Sequence, residues 1–289
     1  MELAIHFIDF LPEHPARLAP TLAATAKAAE DIGATLFTLA DHFFQMETVG
    51  RAEDPFLEGY TSLGFLAAQT STIDLAMLVT GVTYRHPGLL AKTVTTLDVL
   101  SQGRSMFGIG AAWYEREHVA LGVPYPPLRE RFEMLEETLQ ICRQMWSDDN
   151  GPYRGKHYQL AETICVPQPI RRPPVLLGGS GEKKTLRLVA QYADVWNSTV
   201  SEPEELEHKI EVLNRHCANL DRDPTEIRKT VGLLADPFAD LDGYLRTVER
   251  YAGLGVSMIN VGPLPGNPDP AGFVKRLGDE LMPRIAEIG

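Results

Sequence analysis

An aspartate–histidine pair, Asp41 and His42, directly follows the β-rich segment of residues 35–40. Two ionisable side chains at the end of a buried strand are unusual, and histidine titrates close enough to neutral pH to act as a general acid or base. Asp41 would orient the imidazole of His42 or bond the edge of a cofactor. We therefore predict that both residues are catalytic. The competing interpretation is that Asp41 caps a loop and His42 is only half-buried.

Small residues follow three other β-rich segments, where they let a ligand approach the backbone. Gly81 interrupts a β-branched run, which predicts a bulge that could support a flat ring. Gly110 and Ala111 follow the segment of residues 105–109. The alternative for Gly81 is an ordinary strand end before a helix. Residues 108–113 lack the third glycine of a dinucleotide fingerprint, so that motif is not supported.

A glycine-rich turn at residues 178–181 opens a predicted helix, and Lys183, Lys184 and Arg187 follow it. Free backbone N–H groups and the positive end of a helix dipole suit a phosphate group. Thr199 ends the next β-rich segment and could add a hydroxyl to such a site. The turn lacks the spacing of a P-loop, and a plain turn beside a polar loop is the competing interpretation.

These candidate residues fall within an alternation of β-rich and helical segments. The predicted strands are residues 3–8, 35–40, 74–82, 105–109, 175–177, 193–196, 227–233 and 257–261. The predicted helices are residues 15–32, 56–70, 87–100, 128–142, 182–192, 203–218, 241–252 and a last one from residue 269. Such alternation predicts βαβ units and a parallel sheet.

Eight units in 289 residues fit a single domain over residues 1–289, a (β/α)8 TIM barrel with an insertion between strands four and five. An open doubly wound sheet has the same alternation, and periodicity does not separate the two. The insertion, residues 151–174, is rich in proline and predicts an ordered excursion that could contain a hairpin. In a barrel, the active site lies where strands end and βα loops begin, which is where the candidate residues fall.

Composition excludes several classes of function. The net charge of −12 disfavours nucleic acid as a partner. No apolar run is long enough to span a membrane, and no basic segment begins the chain, so a cytoplasmic protein is expected. Cys142, Cys165 and Cys217 are widely spaced, which predicts neither disulfides nor a structural zinc site. No HExxH or GxSxG motif occurs, and we predict no metal.

Taken together, several segments resemble the luciferase-like monooxygenase superfamily, and within it the F420-dependent oxidoreductases. The segments that carry this resemblance are residues 40–43, 81–87, 100–104, 108–113, 173–179 and 193–197. The resemblance implies a deazaflavin or flavin across the mouth of the barrel: coenzyme F420, or FMN as the alternative. It also implies a non-prolyl cis peptide bond at the strand-three bulge, which we place at Gly81–Val82, and His42 beside the cofactor ring.

The cofactor phosphate would meet the backbone amides of the glycine-rich turn, with Thr199 nearby. The predicted cofactor-binding residues are Asp41, His42, Gly81, Val82, Thr83, Gly110, Ala111, Gly178, Gly179, Ser180, Gly181 and Thr199. The sequence departs from the family's sugar-phosphate dehydrogenases at two positions. Trp113 stands where they carry a glutamate, and Glu202 stands near the place of their lysine. A sugar phosphate is therefore not the expected substrate.

The function predicted from these residues and this resemblance is hydride transfer between F420 and an unidentified small organic substrate. The alternatives are an oxygen-using FMN-dependent monooxygenase and a cofactor-binding protein without turnover. Phe43, Phe44, Met46 and Trp113 would form the substrate wall, and the loops at residues 44–55 and 151–174 would set specificity. Family resemblance also leads us to expect a homodimer.

Overall fold

The computed structural model describes residues 1–11, 14–233 and 235–288. Its strands are β1 Glu2–Phe7, β2 Leu36–Leu39, β3 Asp74–Met77, β4 Thr80–Gly81, β5 Ser105–Gly110, β6 Tyr153–Arg154, β7 Gln159–Leu160, β8 Val175–Gly178, β9 Val195–Ser198, β10 Arg228–Gly232 and β11 Val256–Val261. Its α-helices are α1 Pro15–Asp31, α2 Gly59–Ala67, α3 Pro87–Leu100, α4 Glu115–Leu121, α5 Leu128–Met145, α6 Thr185–Tyr192, α7 Pro203–Ala218, α8 Leu241–Gly253, α9 Pro270–Arg276 and α10 Met282–Ile285.

Parallel pairing closes the main sheet into a barrel. The strands run in the order β1, β2, β3, β5, β8, β9, β10 and β11, and β11 pairs back onto β1. The pairing of β3 with β5 is the contact that an open sheet would lack. The TIM-barrel prediction is therefore confirmed, and β3 and β4 are two pieces of its third strand.

Two apolar layers hold this barrel together, because successive side chains of a strand point to opposite faces. The outer layer packs the strands against the helices and includes Phe37, Phe107 and Trp196, all fully buried. The inner layer fills the barrel itself with Ala4, Leu36, Ala76, Met106, Leu176, Val195 and Met258. Because the interior is packed, a ligand must bind at an end of the barrel.

The third barrel strand differs from its prediction. It is interrupted after Met77, and the non-prolyl cis peptide bond joins Leu78 to Val79. Our placement of that bond at Gly81–Val82 is wrong. Gly81 serves a different purpose, since a Cβ atom there would lie 2.5 Å from the ring of Tyr84. The glycine that signalled a bulge in the sequence instead lets an aromatic ring pack against the backbone.

The insertion after α5 is ordered and contains the antiparallel hairpin β6–β7. The carboxylate of Glu137 accepts hydrogen bonds from the backbone N–H groups of Lys156, His157 and Tyr158, which fixes the hairpin turn on α5. The short helix α4 was not predicted, because its seven residues are too few to show a helical period. Within the described residues, no helix is both long and apolar enough to cross a bilayer.

Candidate active site

A cavity of about 580 Å³ opens at the carboxyl ends of the barrel strands. Side chains that follow different strands line it, including His6 from β1, His42 after β2, Leu78 after β3, Asn197 from β9 and Asn260 from β11. The carboxyl ends of the strands therefore surround an open cavity at the predicted mouth of the barrel. A cavity of this size can take a planar ring and a small second molecule.

His42 forms a buried pair with a glutamate that the sequence did not single out. Its Nδ1 lies 2.6 Å from Oε1 of Glu117, whose side chain is fully buried. The hydroxyl of Tyr84 donates to the same carboxylate. Backbone N–H groups of Phe43 and Phe44 donate to Oε2 at 2.8 and 3.2 Å. Four donors thus converge on one carboxylate.

This environment keeps Glu117 ionised. Burial alone would raise the pKa of Glu117, but the hydrogen bonds from His42, Tyr84 and the Phe43 N–H lower it below its ordinary value. Glu117 also lies in the first turn of α4, where the helix dipole favours a negative charge. An ionised carboxylate can only accept hydrogen bonds, so Nδ1 of His42 carries the proton.

With one proton on Nδ1, the other ring nitrogen of His42, Nε2, can offer a lone pair. Among the described residues, none bonds Nε2, and His42 lines the cavity. A base with this orientation can take a proton from a molecule in the cavity and return it in the reverse direction. The arrangement is that of a histidine whose tautomer is set by a carboxylate bonded to its other ring nitrogen.

The hydrogen-bond partners of the Asp41 carboxylate are Arg85 and the Gly81 N–H group, and not the His42 ring. This carboxylate is buried and accepts two hydrogen bonds from Arg85, at 2.7 and 3.0 Å, and one from the Gly81 N–H at 3.1 Å. Burial raises the pKa of Asp41, and the contacts with Arg85 oppose that rise. Asp41 therefore joins the end of β2 to β4, and Glu117 takes the position beside His42 that we predicted for Asp41.

Aromatic side chains surround the His42 ring. The ring of Trp113 lies 5.3 Å from it at 74° and stacks on Tyr114, and Trp113 lines the cavity while remaining half-exposed. Met46 also lines the cavity. Phe43 instead packs edge-on against Tyr84 at 5.1 Å, away from the wall for which we proposed it. Trp113 and Met46 are thus the parts of the predicted substrate wall that face the cavity.

The glycine-rich turn and Thr199 come together as predicted. Ser180 Oγ accepts hydrogen bonds from the backbone N–H and the hydroxyl of Thr199, at 3.0 and 3.1 Å. Gly179 has φ +115°, which few other residues adopt, and Thr199 reaches the cavity. The helix that follows begins at Thr185, three residues later than predicted, so residues 182–184 form a turn instead.

The remaining predicted residues lie around this cavity without lining it. Gly110 and Gly178 approach the strand-three interruption closely, because added Cβ atoms would lie 2.9 and 3.1 Å from Val79. Val82 is buried, and the hydroxyl of Thr83 lies 2.6 Å from Nε2 of His118. The predicted residues that pack behind the cavity are therefore different from those that line it. Ala111, next to Gly110, and Gly181, in the glycine-rich turn, also lie outside the cavity lining.

The sequence analysis did not identify several residues of this site. His6 and Asn260 are polar residues within apolar strands, a signal that alternation could have revealed. Glu117 had no such signal, since its short helix is not periodic. Among the described residues, no three His, Cys, Asp or Glu side chains converge as metal ligands.

The closed barrel and the histidine–carboxylate pair at its mouth define a (β/α)8-barrel protein whose polar site lies at the carboxyl ends of the strands. The luciferase-like monooxygenase family model matches residues 8–237, and the chain belongs to this family. The resemblance noted in the sequence is thereby confirmed.

Individual proteins are also similar to this chain in sequence or in fold. An uncharacterized protein of Mycobacterium tuberculosis (strain H37Rv) is 32% identical over 276 residues, which cover 90% of this chain and 94% of that protein. An F420-dependent glucose-6-phosphate dehydrogenase of Microbacterium testaceum is 31% identical over 180 residues, which cover 62% of this chain and 52% of that enzyme. The structure of an F420-dependent secondary alcohol dehydrogenase in complex with an F420-acetone adduct has a TM-score of 0.81 over 98% of both chains at 16% identity, a likeness of fold.

Proposed function

We propose that this protein is an oxidoreductase that binds coenzyme F420 at the mouth of the barrel and transfers a hydride between it and a small organic substrate. The observation that carries the proposal is the His42–Glu117 pair, in which Nδ1 bonds the carboxylate and the imidazole lines the cavity at the barrel mouth. The named F420-dependent relative and structural neighbour support the choice of cofactor.

The residues at the mouth fit a phosphate-bearing deazaflavin. The turn of residues 178–181 has Gly179 in a left-handed conformation, and Ser180 and Thr199 add hydroxyl groups beside it. The turn would hold the phosphate group, and His42 and Leu78, which line the cavity, would contact the ring. When bound, F420 would supply a hydride acceptor or donor at C5 of its ring.

His42 would accept or donate the proton that accompanies the hydride. In the oxidising direction, Nε2 of His42 would take a proton from the substrate while bound F420 would supply the hydride acceptor, so that two electrons and two hydrogens leave the substrate in all. In the reducing direction, the imidazolium would return that proton to the substrate. Glu117 stabilises the imidazolium formed in between and holds the ring in place. Trp113 and Met46 would cover the imidazole ring of His42 and limit the access of water to it.

Titration of the purified protein with F420 and, separately, with FMN tests the cofactor, with fluorescence quenching as the readout. We expect saturable quenching of F420 at micromolar concentrations. Tight binding of FMN without a response to F420 would replace the proposal with an FMN-dependent monooxygenase. Binding of F420 without reoxidation of its reduced form by any member of a broad substrate panel would indicate a protein without turnover.

The variant His42→Ala tests the proton-transfer role. We expect turnover to fall by about 10²- to 10⁴-fold, the usual contribution of general acid–base catalysis. The dissociation constant of F420 should change far less, since the predicted phosphate contacts are made elsewhere. An unchanged turnover number would remove His42 from the mechanism.

A further inference from the structure

Two buried amide side chains, Asn197 and Asn260, line one wall of the cavity. Nδ2 of Asn260 donates to Oδ1 of Asn197 at 2.9 Å, and the hydroxyl of Thr230 donates to the same oxygen at 2.9 Å. These contacts join the ends of β9, β10 and β11. The cluster thereby fixes both amides in one orientation.

Two polar atoms of this cluster have no hydrogen-bond partner among the described residues. Oδ1 of Asn260 is buried and accepts no hydrogen bond from any described residue, although Asn260 is only 5% exposed and lines the cavity. Nδ2 of Asn197 likewise donates to no atom of the described chain, and Asn197 also lines the cavity. Buried polar groups are nearly always hydrogen-bonded, so the unpaired Oδ1 of Asn260 indicates a bound partner, and the unpaired Nδ2 of Asn197, on the side chain that Asn260 bonds, can pair with the same ligand.

The cluster lies opposite the place proposed for the cofactor ring. Around the closed barrel, β10 is four strands from β3 in both directions. The Asn197–Thr230–Asn260 cluster on β9–β11 thus faces Leu78 across the cavity. A ring resting against Leu78 would leave its other face toward the two amides. The side chains that carry the unpaired atoms therefore line the part of the cavity where a substrate would lie.

The charge of the cavity selects the kind of substrate. Among the described residues that line it, none is an aspartate, glutamate, lysine or arginine. His6 is the second histidine of the lining, and burial lowers its pKa to about 4, despite its hydrogen bond with Thr38. His6 is therefore neutral at pH 7. The lining offers an anionic substrate no lysine or arginine to replace the hydration that it would lose.

We propose, on the basis of the proposed function, that the substrate is an uncharged molecule with a neutral group that both donates and accepts a hydrogen bond. Such a group, a carboxamide or a hydroxyl remote from the reacting carbon, donates to Oδ1 of Asn260 and accepts from Nδ2 of Asn197. A carboxylate or phosphate has no donor for Asn260 and places a negative charge against its oxygen.

Two pairs of isosteric probes test this subsite: benzamide with benzoate, and acetamide with acetate. Each is titrated calorimetrically into the F420-loaded protein. We expect each amide to bind at least about 10-fold more tightly than its carboxylate. Equal or tighter binding of the carboxylates, or no binding of either amide, would overturn the proposal.

The variant Asn260→Leu identifies the residue responsible. Loss of one neutral hydrogen bond should weaken amide binding by about 2- to 12-fold and reduce the preference over the carboxylates. Asn214→Leu, the same change on the exposed face of α7, is the matched control and should bind both probes as the native protein does. Unchanged amide affinity in Asn260→Leu would exclude Asn260 as the contact.

F420 titration of every variant separates the two proposals. A native protein that does not bind F420 contradicts the proposed function itself. A native protein that binds F420 but shows no preference for amides contradicts the subsite alone. Unaltered F420 affinity in Asn260→Leu also shows that this variant is folded.

Discussion

Replacement of Glu117 by glutamine changes one oxygen of the buried carboxylate to an NH2 group and leaves its shape intact. The carboxylate accepts from His42, Tyr84 and the backbone N–H groups of Phe43 and Phe44. A glutamine has one acceptor oxygen, so its NH2 group must face either the His42–Tyr84 side or the backbone side. In either orientation, donors that were paired in the native protein face another donor.

The magnitude follows from this count. If the NH2 group faces the backbone, the N–H groups of Phe43 and Phe44 lose their acceptor; each buried unpaired group costs about 1–3 kcal/mol, so the free energy of unfolding should fall by about 2–6 kcal/mol. If the NH2 group faces Nδ1, His42 must take the other tautomer, with its proton on Nε2. The base is then lost, and turnover should fall by about 10²- to 10⁴-fold.

The stability difference should depend on pH in one direction. Because the pKa of Glu117 is lowered in the folded protein, its ionised form stabilises the fold above the ordinary glutamate pKa. That contribution is lost as the pH falls through the lower, folded-state pKa. Urea denaturation should therefore show native protein and Glu117→Gln farthest apart at pH 7 and converging in acid.

The tautomer of His42 can be read without a substrate, from the ¹⁵N chemical shifts of its ring. The native protein should show a protonated Nδ1 and an unprotonated Nε2, and Glu117→Gln should shift the population toward the other tautomer. Glu115→Gln lies on the same helix with its side chain exposed and serves as the matched control. If Glu117→Gln leaves both the ring shifts and turnover unchanged, the positioning role is refuted.

Two further predictions concern backbone conformation and ion pairing. Gly179→Ala places a side chain at φ +115°, which should lower the free energy of unfolding by on the order of 1–3 kcal/mol and weaken F420 binding. Gly253→Ala in helix α8 is the matched control. Equal F420 affinities in the two variants would contradict the predicted role of the turn. Arg85→Met leaves the buried Asp41 without its partner and should lower the free energy of unfolding by about 3–5 kcal/mol, whereas the exposed Arg246→Met should change it little. Equal urea midpoints for these two variants would show that the Asp41–Arg85 pair does not support the barrel mouth.

The strands and most helices could be predicted because their periodicity is local. Residues 128–142 show the helical period of α5 directly, and the glycine-rich turn at residues 178–181 is visible without any tertiary contact. The sixth strand shows the limit, since β9 runs from Val195 to Ser198, two residues beyond the predicted end. The polar side chains of Asn197 and Ser198 made its last residues look like a loop.

The role of Gly81 shows the same limit at a single residue. In the sequence, a glycine among β-branched residues has several explanations, of which a bulge is one. The ring of Tyr84 three residues later decides between them, and only the fold of the chain shows where that ring lies.

By itself, the sequence determined the alternation of strands and helices, the end of the barrel at which polar residues gather, and the position of His42 there. The tertiary structure alone decided that Glu117, 75 residues away along the chain, binds His42, and that Asn260 meets Asn197 across 63 residues. Periodicity reports which face of a segment is buried. Which side chains meet across a barrel depends on strand register and helix placement, and these are set by the packing of the whole chain.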